Sequence, residues 1–455
     1  MTLLELNSGD TAWILVSAAL VLLMTPGLAF FYGGMVRAKG VLNMMMMSFI
    51  SMGVIGVLWV LFGYSMSFGN SVGGLGIIGN PFEFAGLESL LTEDPSASYP
   101  ALAFVAFQAC FAIITVALVS GAIADRASFG GWTLFAVLWG TLVYFPAAHW
   151  VFAFSNEDSG VVGGWIANQI KAIDFAGGTA IHINAGTAAL ALALVVGPRI
   201  GFGSKPMRPH NMTLVMLGAA LLWFGWFGFN AGSAAAANGL ASLAWVNTLA
   251  ATAAAMLGWL LVEKLRDGHP TSLGAASGIV AGLVGITPAA GAVSPIGALI
   301  LGVLVGVACA YAVGLKFKFG FDDSLDVVGV HLVGGLVGTL LIGLLADPAV
   351  SGDPSNPAVA GLFYGGGFDQ LWRQAVGAFS VMAFSFVMSY LIALVVKHTV
   401  GWRVSTADEL GGIDLAEHSE AGYDLSPVYY SSRVQRTLVL TKDDLPAADK
   451  TGASK

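Results

Sequence analysis

The sequence predicts an all-α polytopic membrane protein: eleven transmembrane helices in an inverted five-plus-five repeat, amino terminus outside and carboxyl tail inside. Three observations predict it. The 455 residues are 56% hydrophobic and only 10% charged, against about 25% charged in soluble domains. Glycine occurs 60 times, and glycines within apolar runs suit closely packed membrane helices. The apolar runs are long enough to cross a bilayer, which takes about 20 residues at a rise of roughly 1.5 Å each. These properties exclude a soluble globular domain and a disordered chain. The net charge of −8 does not suggest nucleic-acid binding. Cys110 and Cys309 sit in apolar runs, where they form neither a disulfide framework nor a zinc site.

The spans are expected at about 12–34, 41–68, 100–121, 131–153, 176–196, 211–236, 243–263, 273–290, 295–315, 326–346 and 372–397. The first has no basic residue before it and is expected to be retained rather than cleaved. Charge placement sets the orientation. With residue 1 outside, the inner side holds Arg37, Lys39, Arg126, Arg199, Lys205, Arg208, Lys264, Arg266, Lys316, Lys318 and Lys397, and the outer side only Lys171 and Arg373. Eleven against two is the bias expected of cytoplasmic loops. The outer loops are instead acidic or polar, with Glu83, Glu88, Glu93, Asp94, Glu157 and Asp158. Residues 1–397 therefore read as the membrane domain. Residues 398–455, with nine acidic and six basic side chains, read as a cytoplasmic tail, either solubilising or regulatory.

Spans one to five and six to ten form two halves. Five is odd, so the second half enters from the opposite side, as in transporters whose substrate site lies between such halves. "IHINAGTAAL" in span five and "VHLVGGLVGT" in span ten each place a glycine four residues after a histidine.

His182 and His331 are the main chemical signal, because ionisable side chains within spans are rare and line pathways. The alternative is a neutral histidine bonded to a carbonyl. Two histidines without a nearby carboxylate or cysteine make a poor metal site, so neither metal nor cofactor is expected. Helix rise alone leaves room for roughly 10 Å between them. His149, His210, His269, His398 and His418 are expected at interfaces or in solvent. Asp174 and Asp326 stand where a carboxylate caps a helix start. Phe107 and Phe111 are one helical turn apart, and Trp223, Trp226, Phe227 and Phe229 crowd span six with Ser233 four residues on. Most of these are core packing, but aromatic faces beside a hydroxyl also suit a small cation. Met44 to Met47 read as packing filler.

At "DFAGGTAIHINAG", "GWFGFNAGSA", "GAASGIVAGLVGITPA", "GVHLVGG", "FYGGMVRAKGVLNMMMMSF" and "GGIDLAEHSEAGYDL" the chain resembles the ammonium transporter family (Amt, Mep and Rh proteins), on its bacterial Amt side, over residues 10–425. The resemblance implies a multi-pass protein of the cytoplasmic membrane, a homotrimer with one pore per subunit, serving nitrogen uptake and taking methylammonium as an analogue. It implies that His182 and His331 are the pore pair lying side by side, that Phe111 and Phe229 gate the outer entrance, and that Ser233, Gln108 and Phe152 contact ammonium outside. Asp174 corresponds to the carboxylate that orders that outer site. Phe152 replaces the usual tryptophan and so lacks its indole N–H. The tail resembles the part that meets trimeric PII signal proteins. The rivals are a sensor of the same fold that barely conducts and a transporter of another small solute. An enzyme is not expected, because no nucleophile, base and orienting group converge in the sequence.

Overall fold

The computed structural model describes residues 6–92, 98–350 and 358–423. The expected outer acidic residues Glu93 and Asp94, and the tail beyond Tyr423, lie outside the described residues. Among the described residues ten helices are long and apolar enough to cross a membrane. They are α1 (Ser8–Met35), α2 (Val41–Phe68), α3 (Ala101–Ile123), α4 (Phe129–Phe152), α5 (Gly178–Val196), α6 (Met212–Gly232), α7 (Gly239–Arg266), α9 (Pro295–Phe319), α10 (Val328–Leu345) and α11 (Asp369–Thr399). Between α7 and α9 lies the shorter apolar helix α8 (Ser272–Ile286). Two small helices, α12 (Thr406–Gly411) and α13 (Ile413–His418), follow α11. Among the described residues the only β pairing is three isolated bridges.

Local chemistry sets the helix ends. Asn7, Ser128, Asn211, Asn238, Thr271 and Ser294 each accept backbone N–H bonds from the first turn that follows, which satisfies donors that a helix start leaves free. Pro295 occupies the first position of α9, where a missing N–H costs nothing. The sequence placed span eight at 273–290, but α8 stops at Ile286 and the chain turns through 287–293. Pro288 explains part of this, because it lacks the N–H that would continue the helical ladder.

Glycines bring helices together, both across the two halves and within one. A Cβ on Gly218 of α6 would lie 2.3 Å from the Phe31 nitrogen of α1. In α9, Gly302 and Gly306 rest on the Ala251 and Ala255 carbonyls of α7 at 2.3 and 2.2 Å from the same imagined atoms. Small residues four apart permit such backbone approach in apolar surroundings. Large apolar side chains cover the outward faces of α7 and α9, including Leu249, Leu257, Leu261, Ile300 and Leu304. A surface so apolar belongs against lipid or another apolar surface. Met44 and Met47 are buried, as packing requires, whereas Met46 is exposed.

At the end of the molecule opposite Ser233, buried charge ties the loops to the tail. Arg126 is fully buried and donates to the Gly197, Ala124, Ala122 and Asp322 carbonyls and to Ser324 Oγ. Arg199 forks onto Asp322 at 2.9 and 2.8 Å. Burial alone pushes the Asp322 carboxyl up, but the Arg199 guanidinium bonded to it holds it below the usual carboxylate range. Asp414 of α13 accepts from the Leu42 and Asn43 nitrogens, capping α2 with a residue of the tail.

Candidate functional site

Both spanning histidines lie on π-helical turns. His182 falls within Gly178–Ile183 and His331 within Val328–Leu332. Wider turns of this kind frequently mark functional positions. Their helices cross where glycine allows it. A Cβ on Gly186 of α5 would meet the Leu332 nitrogen of α10 at 2.3 Å, and one on Gly335 of α10 would lie 3.1 Å from the Gly178 carbonyl and from His182 Cβ. The crossing sets the imidazoles side by side, with Nδ1 to Nδ1 at 3.2 Å and ring centroids 5.3 Å apart. At this distance one ring donates its proton to the other. The 10 Å that helix rise allowed is not used.

The pair lines a narrow lumen with Met24, Leu28, Phe31, Ile114, Leu118, Leu222, Trp226, Phe229 and Val280. Its volume is about 10 Å³, on the order of one water-sized sphere. The walls are otherwise apolar. Trp226 stacks on His182 at 5.4 Å and donates its indole N–H to Thr287 Oγ1. The sequence reading left Trp226 among core aromatics, because nothing in spacing along α6 reports a ring on α5.

Phe111 and Phe229 close the lumen on one side. Their rings stack at 4.2 Å, 28° from parallel, and both are buried. Phe107 meets Phe111 edge-on at 4.7 Å. Beyond them opens a vestibule of about 950 Å³ lined by, among others, Gln108, Phe152, Asp174 and Ser233. The six residues singled out at the outer side by resemblance thus converge, two as a plug and four around the vestibule. Ser233 donates its hydroxyl proton to the Phe229 carbonyl at 2.8 Å. Its oxygen lone pairs remain acceptors, which is what a cation bearing only N–H donors requires.

Asp174 does what its position predicted. Its carboxylate accepts from the Gly177, Gly178 and Thr179 nitrogens at 2.8, 2.5 and 2.8 Å, and from the Thr179 hydroxyl. Asp326 does not cap α10. It pairs with Lys316 Nζ at 2.7 Å, and Asp323 caps instead, accepting from Val327 and Val328 nitrogens at 3.1 and 2.7 Å. The signal that could have found Asp323 is a spacing: it precedes His331 by the same eight residues that separate Asp174 from His182. His149 is a second correction. It was expected at the interface but is 0% exposed, with Nδ1 3.1 Å from the Ser67 carbonyl. His210 and His418 are partly buried, against Val36 O and Tyr423 Oη, and against Asn43 Oδ1.

Comparison with known proteins identifies the family of the fold. The family model described as Ammonium Transporter Family matches residues 12–423. An "Ammonium transporter" of Mycobacterium tuberculosis (strain ATCC 25618 / H37Rv) is 62% identical over 440 residues, covering 92% of this chain and 91% of the relative. "Ammonium transporter Amt1" of Archaeoglobus fulgidus is 43% identical over 418 residues, covering 92% and 100%. Among solved structures, Saccharomyces cerevisiae Mep2 superposes with a TM-score of 0.83 at 33% identity, covering 93% of each chain. A protein described as "Sensor Amt Protein" gives 0.81 at 28% identity, covering 90% and 98%. The chain belongs to the ammonium transporter family.

Proposed function

We propose that this protein moves ammonium nitrogen across the cytoplasmic membrane by capturing the cation in the vestibule, deprotonating it there, and passing ammonia along His182 and His331. The observation that carries the reading is the imidazole pair at 3.2 Å in an otherwise apolar lumen, closed by the stacked Phe111 and Phe229. The aromatic faces of Phe111 and Phe152 with the acceptor oxygens of Ser233 and Gln108 form the capture site. Asp174 holds the start of α5 in place beside it.

Magnitudes favour the neutral form in the lumen. A bare small cation entering a low-dielectric core costs on the order of 20 kcal/mol in the Born limit. A neutral polar molecule costs about 2–7 kcal/mol when unbonded. Removing a proton from an amine-like acid at pH 7 costs roughly 4 kcal/mol, some three pKa units. Deprotonation also discriminates against potassium and sodium, which carry no proton. Imidazoles bond the passing molecule because each ring offers one donor and one acceptor, and the pair relays the released proton separately.

The positive-charge bias supports an outer vestibule and an inner tail, with eleven spans if α8 completes its crossing through the turn after it. The family resemblance supports a homotrimer and a PII-type partner at the tail face. The likeness to a sensor protein keeps a second reading in view, binding with little conduction. Methylammonium uptake into proteoliposomes separates the two. The decisive experiment replaces both histidines with leucine and records ammonium-dependent current and potassium exclusion. Loss of the current or of the exclusion is expected. Survival of both in the double variant overturns the relay.

A further inference from the structure

We propose that Lys171 is a charge that weakens cation capture at the vestibule and thereby sets the ammonium concentration at which transport saturates. The inference rests on the transport reading above and adds a residue to it. Lys171 lines the vestibule together with Asp174, Gln108 and Ser233, and it is exposed. Two other charged side chains on that lining, Asp369 and Arg373, neutralise one another at 2.6 Å, and Arg373 also donates to the Ile170 carbonyl. The Asp174 carboxylate is turned onto the backbone nitrogens that open α5. Among the described residues no carboxylate lies within ion-pair distance of Lys171. Lys171 and Asp174 are thus the two charges on that lining without an oppositely charged partner, and of the two only the Lys171 ammonium is exposed rather than held by backbone hydrogen bonds.

The position is also held at a cost. Lys171 has φ +58° and ψ +40°, left-handed backbone that side chains other than glycine, asparagine and aspartate seldom adopt. That conformation ends the helical turn Ile166–Ile170 and leads the chain into Asp174. Charge and backbone roles are separable, because asparagine tolerates the conformation without the charge and arginine keeps the charge.

Two unit charges about 8–10 Å apart in water interact enough to change occupancy about twofold, and salt screens the effect. Ammonium-dependent current is therefore measured on proteoliposomes of the full chain at low and at roughly 0.5 M ionic strength, for the unchanged protein, Lys171→Asn and Lys171→Arg. The expected result is a two- to threefold lower half-saturation for Lys171→Asn at low ionic strength, vanishing at high, with Lys171→Arg unchanged. A half-saturation that does not move with Lys171→Asn, a shift that persists in high salt, or an equal shift with Lys171→Arg overturns the proposal while leaving the transport reading intact. Absence of current from the unchanged protein overturns both.

Discussion

The starts of α5 and α10 solve one problem in two ways. Each carries an aspartate eight residues before its spanning histidine, and in each that carboxylate accepts from the nitrogens four and five residues on. Each has left-handed backbone three residues after the aspartate, at Gly177 with φ +116° and at Asp326 with φ +63°. The α5 side adds bonds from Gly177 N and the Thr179 hydroxyl and opens on the vestibule. The α10 side adds a cation, Lys316, which donates to the Asp323 carbonyl at 2.9 Å and pairs with Asp326. The difference teaches that the repeat preserves the placement of the imidazole rather than the means of fixing it. Backbone caps suffice at one end, whereas the other uses a buried charge cluster.

The largest expected effect comes from removing the caps. At pH 5, Asp174→Ala should lower stability by about 3 kcal/mol and Asp323→Ala by about 2 kcal/mol, since the first frees more donors at a partly buried helix start. Thermal unfolding in detergent checks the order. Equal losses would mean that the extra bonds on the α5 side contribute nothing. Next come the crossing glycines. Gly186→Ala drives a methyl into the Leu332 backbone and should cost about 1–3 kcal/mol, whereas Gly335→Ala needs a shift of only a few tenths of an ångström and should cost less. The former should also separate the imidazoles and reduce current. If Gly335→Ala is the more damaging, the crossing is held from the α10 side.

Titration distinguishes the ends as well. Burial pushes the Asp323 carboxyl up to about 6, with Lys316 opposing and Asp326 adding to the rise. An ordinary carboxylate titrates near about 3.9, so the folded state holds a proton that the unfolded chain releases. The contribution is whole below about pH 4 and is lost as pH rises through about 6. Stability should fall across that window, and Asp323→Asn should flatten the fall. A slope unchanged in that variant would assign it to another group.

Much of this was legible in the chain. Apolar runs gave the helices because a bilayer-length stretch with few charges has one economical structure, and His182 and His331 stood out as ionisable exceptions inside such runs, whereas Phe111, Phe229 and Ser233 were singled out by the family resemblance. What failed depended on residues distant in sequence. His149 is satisfied by a carbonyl 82 positions away. The imidazoles approach because of what Gly186 and Gly335 meet on the opposite helix, and the π-helical turns beneath them leave no mark on apolar periodicity. Asp326 was read as the cap because it opens the apolar run, and Asp323 was not considered. The matched eight-residue spacing was the better guide, since it registers one half against the other.

Asp326 supplies the smallest test. Asparagine tolerates left-handed backbone, so Asp326→Asn removes the charge from the Lys316 ion pair and leaves the backbone unstrained, at a cost of about 1 kcal/mol or less. Its more telling consequence is on Asp323. With one negative charge removed and Lys316 retained, the Asp323 carboxyl should ionise at lower pH, and the stability fall that begins near about pH 4 should end below about pH 6 and be smaller. Asp326→Ala adds the strain of an unsuited backbone, about 1–2 kcal/mol, without further change in the pH profile. If both variants lose the same stability, φ at this position is unstrained, and the parallel with Gly177 is one of geometry without energetic consequence.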